Sequence, residues 1–293
     1  MNHKEFGKLV AVLRQDIGLT QFQLAEKSEL DVAVVSQIER GVKRYFDADL
    51  LQKLAASLEL NLHERQQFYA AAVGLDDSIP LVADDNAPEV KQANQTLDKM
   101  MGLLERIRVP GHIVDVYGDV VASNMISVGL YQVTPETITE STSIPAGYSS
   151  LRLLFGGILQ SVFTEGYDDY LLNSMRSFRE FSLRYRALPY SLKIMGELRN
   201  PKKYPAFDRY WRKAALMDDD KQIYLDVFEY SHVQLGMLKH SAVFTVSSTP
   251  FGELMLIYNL PMDKHTTGAF EQLAETIGTN AFRFAPWPIK PIE

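Results

Sequence analysis

Cysteine is absent from the 293-residue sequence. Its absence excludes disulfide frameworks, thiolate nucleophiles, zinc–cysteine sites and iron–sulfur clusters, and it leaves histidine and carboxylate as the strong metal ligands. The six histidines are scattered along the chain, so no metal site is predicted. Because proteins without disulfides are typical of reducing compartments, we expect a cytoplasmic protein.

Long hydrophobic runs are absent as well. The longest apolar stretch, around residues 254–258, is far shorter than the roughly 20 residues that cross a bilayer. Residues 1–8 are polar and lead into an amphipathic segment, so neither a signal peptide nor a membrane partner is expected. With 46% hydrophobic and 23% charged residues the composition is that of a globular protein, and the length favours two domains.

An overall excess of positive charge is also missing, because the net charge is −7. Taken alone, this value argues against a nucleic-acid partner. Residues 1–75 are nearly neutral, however, and three of their cations lie close together after a predicted helix. Arg40, Lys43 and Arg44 therefore form a local basic spot that could contact phosphates.

Residues 1–75 predict an all-α domain of five short helices. Apolar residues recur there at three- and four-residue spacing, and no stretch alternates as a strand does. Gly18 ends the first helix and Gly41 follows the third, while Thr20 and Asp47 are suitable N-caps for the second and fourth. The fifth helix ends at Gly74.

A linker and a connecting helix are predicted over residues 76–108. Residues 76–88 are acidic, contain two prolines and show no period, which is typical of an interdomain linker. Apolar residues then repeat at alternating three- and four-residue steps up to Ile107, as in a helix that packs on a partner. Leu97 and Leu104 on this helix are expected either to form a homodimer seam or to pack on the second domain of the same chain.

Residues 109–285 predict an α+β domain with an antiparallel sheet. Residues 112–123 favour a β-hairpin, and residues 148–217 favour several helices. Strand-like runs follow at residues 222–230, 237–247 and 253–259. A helix over residues 266–277 completes the domain, and strands at both ends of a helical segment are typical of the α+β class.

The segment LTQFQLAEKSELDVAVVSQIERG, residues 19–41, is the strongest functional signal. Its two helices and short turn are spaced so that the second helix can enter a DNA major groove. Residues 3–75 resemble the helix-turn-helix domain of the phage-repressor-like XRE family. The matching positions are Gly18, Leu19, Thr20, Gln21, Leu24, Ala25, Ser36, Ile38, Glu39, Arg40, Gly41, Leu54 and Ala55. The resemblance implies a transcription regulator that binds double-stranded DNA, and a homodimer is expected because one such domain covers half a site.

The candidate DNA contacts lie on the second and third helices and just beyond them. Gln21, beside Thr20, is expected to hold a phosphate with its amide and the free backbone N–H groups of the helix start. The exposed early face of the third helix, which is expected to reach base edges, carries Val32, Ala33, Ser36 and Gln37. Among these only Gln37 offers an amide for hydrogen bonds with bases. The residues expected to clamp the backbone are Arg40, Lys43 and Arg44.

Two other positions are assigned to architecture rather than to DNA binding. The family uses a pair equivalent to Arg14 and Glu39 as an internal ion pair that braces the helices, so the resemblance implies the same pair here. Glu29 stands where the family commonly has glycine. Because glutamate has no easy access to positive φ, a slightly different turn is expected at this point.

The second domain resembles the ligand-binding domain of MmyB-like regulators, which has a PAS-like fold. The similarity spans roughly residues 108–280 and is carried by residues 120–124 (VVASN), 151–155 (LRLLF), Leu183, Arg184, Phe207 and Trp211. Residues 239–252 lack the family's usual His-Pro pattern, which leaves the ligand open. The resemblance and the apolar interior imply a sensor of a small apolar ligand, such as a fatty acid.

The candidate pocket residues are large apolar side chains of this domain, namely Phe155, Phe178, Phe181, Tyr185, Met195, Phe228, Phe244 and Met255. Each of them could equally be an ordinary core residue. Arg152 and Arg184 are candidates for holding an anionic head group in bidentate geometry. The alternative for both arginines is a solvated or ion-paired position on the surface.

No enzyme motif is found, since GxSxG, HExxH, Walker A and GxGxxG patterns are all missing. The sequence therefore predicts a regulator that is not an enzyme and carries no cofactor. The alternative is a flavin- or haem-bearing sensor or enzyme with a DNA-binding appendage.

Overall fold

The computed structural model describes residues 1–74, 86–216 and 227–291, which form two compact units. The first, here called the helical unit, contains residues 1–74, 175–192 and 208–216. The second, the sheet unit, contains residues 86–174, 193–207 and 227–291. Most of the predicted linker lies outside the described residues. None of the described helices is long and apolar enough to span a membrane.

The first 74 residues form five helices, as predicted. They are α1 (His3–Asp16), α2 (Gln21–Lys27), α3 (Val32–Glu39), α4 (Ala48–Ser57) and α5 (Leu62–Ala72). Each helix starts where a polar side chain accepts a hydrogen bond from a backbone N–H of the first turn. These caps are Asn2, Thr20, Asp31, Asp47 and Asn61. The apolar faces of the five helices share one core, which includes Phe6, Leu24, Ile38 and Phe68.

The described residues of the sheet unit form seven strands in one sheet. The strands are β1 (Gly111–Asp115), β2 (Val120–Asn124), β3 (Phe163–Glu165), β4 (Val227–His232), β5 (Gly236–Thr249), β6 (Gly252–Pro261) and β7 (Ala281–Arg283). All pairings are antiparallel, in the order β3-β4-β5-β6-β1-β2-β7. The predicted α+β class with an antiparallel sheet is confirmed. The short strands β3 and β7 were not predicted, and residues 222–226 of the predicted strand 222–230 lie outside the described residues.

Further helices precede the first strand or lie in the connections between strands. They are α6 (Pro88–Leu104), α7 (Met125–Tyr131), α8 (Pro135–Ser141), α9 (Ser150–Phe155), α10 (Tyr167–Ser182), α11 (Pro189–Leu198), α12 (Phe207–Ala215) and α13 (Lys264–Ile277). A 3₁₀ turn, Leu183–Tyr185, follows α10 directly. Residues of α10, α11 and α12 belong to both units, and Leu183 is part of the core of the helical unit.

The apolar stripe of α6 packs on the sheet of its own chain. Leu97 and Leu104 are completely buried in a core that also contains Leu254 and Leu256 of β6. Of the two roles expected for this stripe, packing on the second domain is therefore the one observed. A homodimer seam built on Leu97 and Leu104 is wrong, because these side chains are already covered.

Candidate nucleic-acid interface

The turn between α2 and α3 is closed by local hydrogen bonds. Glu29 adopts a left-handed backbone conformation with φ of 54°. The N–H of Leu30 then donates to the Ala25 carbonyl at 2.9 Å, and the Asp31 carboxylate accepts from the N–H of Ala33 at 2.6 Å. The expectation of a different turn at Glu29 is wrong, since glutamate takes the positive φ that a glycine would supply.

An internal ion pair braces the first three helices, as the resemblance implied. Arg14 Nε lies 2.6 Å from Glu39 Oε1, and Arg14 Nη2 lies 3.0 Å from Glu39 Oε2. Arg14 also donates to the Leu19 carbonyl at 2.6 Å. Gln21 donates its amide to Glu39 Oε2 at 2.8 Å, so the amide nitrogen assigned to a phosphate serves the brace instead. The brace fixes α3 relative to α1 and α2.

One face of α3 is buried and the opposite face is exposed. Val35 and Ile38 are completely buried, while Val32, Ala33 and Gln37 are exposed. Ser36 is half-buried. Three of the four predicted base-contacting residues therefore share an open face of the helix, and Gln37 presents its amide there.

The predicted cations follow α3 directly. Arg40 is exposed and donates from Nε to the Ser36 carbonyl at 3.2 Å. Lys43 is half-buried and Arg44 is exposed. The chain reverses at Gly41, which lies between Arg40 and Lys43. The φ of Gly41 is 69°, and a Cβ added there would lie 2.5 Å from Lys4 Cα. Only glycine fits this approach of the two backbones.

Three exposed apolar residues near this surface were missed by the sequence reasoning. Tyr45 is 75% exposed, and Phe22 and Val42 are nearly as open. Thr20, the cap of α2, is also exposed. Tyr45 could have been found from the sequence, because it is an aromatic residue in a short basic segment without helical period. Exposed side chains are thus present on α2 and directly after α3 as well as on α3 itself.

The structure divides the predicted ligand-binding residues between the two units. The helical unit contains Phe178, Phe181, Arg184 and Tyr185. The sheet unit contains Arg152, Phe155, Met195, Phe228, Phe244 and Met255. In the sheet unit five of the six are buried, but Phe244 is 50% exposed. The prediction that Phe244 lines a closed pocket is therefore wrong, because half of its side chain is open to solvent.

Arg152 is neither solvated nor on the surface. Its guanidinium is buried and donates to Ser141 Oγ at 3.0 Å, to the Gly147 carbonyl at 3.1 Å and to Glu140 Oε2 at 3.3 Å. These bonds tie α9 to the residues that precede it. Arg184 is half-buried and lies 5.4 Å from the centre of the Tyr185 ring.

A buried charged cluster in the helical unit was not anticipated. Glu64 of α5 is completely buried, 2.7 Å from Arg186 Nη2 and 3.0 Å from Arg179 Nη2. Burial alone would raise the pKa of Glu64, but the two guanidinium groups outweigh it and hold that pKa below its ordinary value. Trp211, noted only through the family resemblance, lies under both guanidinium groups at 4.5 and 4.9 Å.

Comparison with known families supports the interpretation of the first domain. Residues 10–64 match a family model described as helix-turn-helix. A search among curated proteins gives no match to the chain. The matched residues include α2, the turn at Glu29 and α3 with its exposed face. Residues 10–64 are thus a helix-turn-helix domain, and this match supports a DNA-binding transcription regulator.

Proposed function

We propose that α3 reads double-stranded DNA from the major groove and that the sheet unit binds a small apolar effector. The observation that carries the proposal is the exposed face of α3, held in place by the Arg14–Glu39 brace. A rigid helix that presents an open face beside cations is what major-groove recognition requires.

Base recognition is assigned mainly to Gln37. Its exposed amide can pair with the donor and acceptor of adenine, while Val32 and Ala33 can contact thymine methyl groups. Ser36, which is half-buried, contributes less. Because Gln37 is the one strong hydrogen-bonding side chain proposed for base contacts, part of the sequence specificity would come from the shape of the DNA.

Phosphate contacts are assigned to the ends of the two helices. Arg40, Lys43 and Arg44 follow α3, and Thr20 opens α2 with backbone N–H groups that favour an anion. Because the Gln21 amide nitrogen donates to Glu39, its backbone N–H is the group proposed to meet a phosphate. Two copies of the domain, spaced by about 34 Å along the DNA, would form a homodimer on a palindromic site.

The effector function is assigned to the sheet unit, which we propose to be MmyB-like and PAS-like. The buried side chains of Phe155, Met195, Phe228 and Met255 supply an apolar interior suited to a lipid-like molecule such as a fatty acid. Arg152 is committed to three partners of its own chain, so it is a poor candidate for an anionic head group. The proposed role is that of a regulator without catalytic activity.

Selection of DNA from a random duplex library by the full-length protein tests the DNA-binding part. An enriched palindromic sequence is expected, and an Ala33→Glu variant should lose the enrichment because it places a carboxylate on the open face of α3. Extraction of the purified protein with organic solvent tests the effector part. Release of an apolar molecule is expected, whereas a protein that yields none and binds none from a lipid panel contradicts it.

A further inference from the structure

Among the residues that the structure describes, three buried polar atoms on one face of the sheet unit lack a hydrogen-bond partner. They are the Tyr230 hydroxyl on β4 and both ring nitrogens of His240 on β5. Tyr230 is 2% exposed and His240 is 1% exposed. Their ring centres are 5.7 Å apart, in an edge-on arrangement. The two side chains share a face because Phe228, two residues before Tyr230, pairs directly with His240 across the strands.

Aromatic rings surround these atoms. Phe228 stacks on His240 with ring centres 5.4 Å apart, and Phe270 of α13 lies 6.2 Å from the same imidazole. The Phe163 ring lies 4.3 Å from that of Tyr230. Phe228 is also one of the pocket residues predicted from the sequence. The unpaired atoms are therefore next to the apolar surface already assigned to an effector.

The nearby polar side chains are hydrogen-bonded to other groups. The Tyr131 hydroxyl is 2.8 Å from that of Tyr170 and accepts from Asn259 Nδ2 at 3.1 Å. His232 Nε2 lies 2.8 Å from the Leu130 carbonyl. Native proteins pair nearly all buried polar groups, because an unpaired one loses its hydrogen bonds to water without replacement. A partner from outside the chain would satisfy Tyr230 and His240.

The chemistry of the two side chains defines that partner. Burial lowers the pKa of His240 to about 4, so near neutral pH its ring has one N–H donor and one acceptor nitrogen. The Tyr230 hydroxyl also donates and accepts. A hydroxyl group both donates and accepts, whereas a carboxylate only accepts and would bring an unpaired charge among aromatic rings.

We propose that Tyr230 and His240 bind the neutral, hydroxyl-like end of an apolar ligand. This assignment rests on the effector-binding function proposed above and narrows it from lipid-like molecules in general to those with an uncharged polar end. It also places that end against the face of β4 and β5 that carries Tyr230 and His240.

Two probes of equal chain length, 1-decanol and decanoate, test the assignment with full-length protein after solvent extraction. Isothermal titration near neutral pH is expected to show tighter binding of decanol. Tyr230→Phe and His240→Phe keep the rings but remove the polar atoms, and each should weaken decanol binding roughly threefold to tenfold, the effect of one hydrogen bond. Tyr170→Phe is the control, because its hydroxyl already pairs with Tyr131. It should leave the preference for decanol over decanoate unchanged.

The outcomes separate this site from the effector function as a whole. Two outcomes overturn the site while the effector function stands. One is tighter binding of decanoate than of decanol. The other is equal affinity for decanol in the wild type, Tyr230→Phe and His240→Phe. Absence of binding by both probes and by a wider lipid panel overturns both. In protein with ¹⁵N-labelled histidine, decanol should also shift the His240 ring resonances, identified by their loss in His240→Phe. Resonances that stay unchanged at saturating decanol contradict the site.

Discussion

The carboxylate of Glu64 and the guanidinium of Arg186 meet at 2.7 Å although 122 residues separate them in the sequence. Both side chains are buried, and Arg179 joins them at 3.0 Å from the same carboxylate oxygen. Leu183, which lies between the two arginines, is part of the core formed by α1 to α5. The helices that carry the proposed DNA-binding face therefore share their core and a charged cluster with residues 175–192.

Removal of the Glu64 charge is expected to destabilise the protein strongly. Glu64→Gln removes the closest counter-charge of the buried Arg179 and Arg186 and leaves them with the Asp16 carboxylate, 3.9 Å from Arg186. Loss of one partner of a buried ion pair typically costs about 3–5 kcal/mol. Denaturant unfolding of the full-length protein measures the loss. Glu180→Gln is the control, because Glu180 pairs with Arg176 in a more accessible position and should cost much less. Equal losses in the two variants would contradict a special role for Glu64.

The same cluster predicts a pH dependence of stability. The pKa of Glu64 is lower in the folded protein than in the unfolded chain, where it is about 4.3. The ionised carboxylate therefore contributes fully to the free energy of unfolding above about pH 4.3. This contribution is lost as the pH falls through the pKa of the folded protein. Wild-type stability should therefore decline in acid more steeply than that of Glu64→Gln. Parallel acid unfolding curves for the two proteins would contradict the lowered pKa.

Local features of the helical unit could be predicted from the sequence. Thr20 and Asp47 were identified as caps, and the ends of α3 and α5 were identified from Gly41 and Gly74, because each depends on one or two neighbouring residues. The Arg14–Glu39 brace followed from family resemblance. Contacts such as that of Glu64 with Arg186 leave no local pattern in the sequence, so the inclusion of residues 175–192 in this unit could not be predicted.

The surface of the sheet unit was harder to predict than its strands. The ranges of β5 and β6 agree with the predicted runs to within two residues, since aromatic and β-branched residues favour strands. Burial of single residues depends on which neighbours cover a strand, so Phe244 was expected in a pocket and is half exposed. The proximity of the Tyr230 and His240 rings depends on the register between β4 and β5, which alternation alone does not fix.

Gln37→Ala is expected to reduce specific DNA binding by about 1–3 kcal/mol, because Gln37 supplies the amide for base edges. Binding to random DNA should hardly change. Fluorescence anisotropy with the selected operator and with a scrambled duplex measures both. Gln92→Ala, at an exposed glutamine of α6 in the sheet unit, is the matched control and should leave both affinities intact. Equal weakening of the two duplexes by Gln37→Ala would reassign Gln37 to the phosphate backbone.

Arg44→Ala is expected to weaken all DNA sequences alike. Loss of one phosphate contact should reduce the slope of log K against log salt by about one unit. Titrations at several salt concentrations with operator and scrambled duplex measure this slope. A loss confined to the operator, with an unchanged slope, would show that Arg44 contacts bases.

Glu29→Gly is expected to stabilise the protein by up to about 1 kcal/mol. Glu29 has a φ of 54°, a left-handed conformation that costs a residue with a Cβ about 1–2 kcal/mol. Glycine adopts this conformation without strain, but it loses more conformational entropy on folding, which offsets part of the gain. Thermal unfolding measures the change. Glu26→Gly, at an exposed position within α2, should instead destabilise by about 1 kcal/mol. Destabilisation by both changes would mean that the Glu29 side chain itself supports the turn.

Lys290 is expected to be essential for the stability of the sheet unit. Its buried ammonium group lies 2.5 Å from Asp115 and 2.7 Å from Asp119, so it fixes the segment around residue 290 to the hairpin of β1 and β2. Lys290→Met leaves two buried carboxylates without a cation and should cost about 3–5 kcal/mol, whereas Lys264→Met, at an exposed position, should cost little.

The pH dependence of this loss identifies its cause. Burial raises the pKa of Asp115 to about 6 even though Lys290 lies beside it. The folded protein therefore binds this proton more tightly than the unfolded chain, in which the pKa is about 3.9. The resulting stabilisation is complete below about pH 3.9 and is lost as the pH rises through 6. Without the lysine that pKa should rise further. The deficit of Lys290→Met in denaturant unfolding should therefore be larger at about pH 8 than at about pH 5, and Asp115→Asn in the same chain should restore part of it. A deficit that is independent of pH and is not reduced by Asp115→Asn would mean that the lysine acts through packing rather than charge.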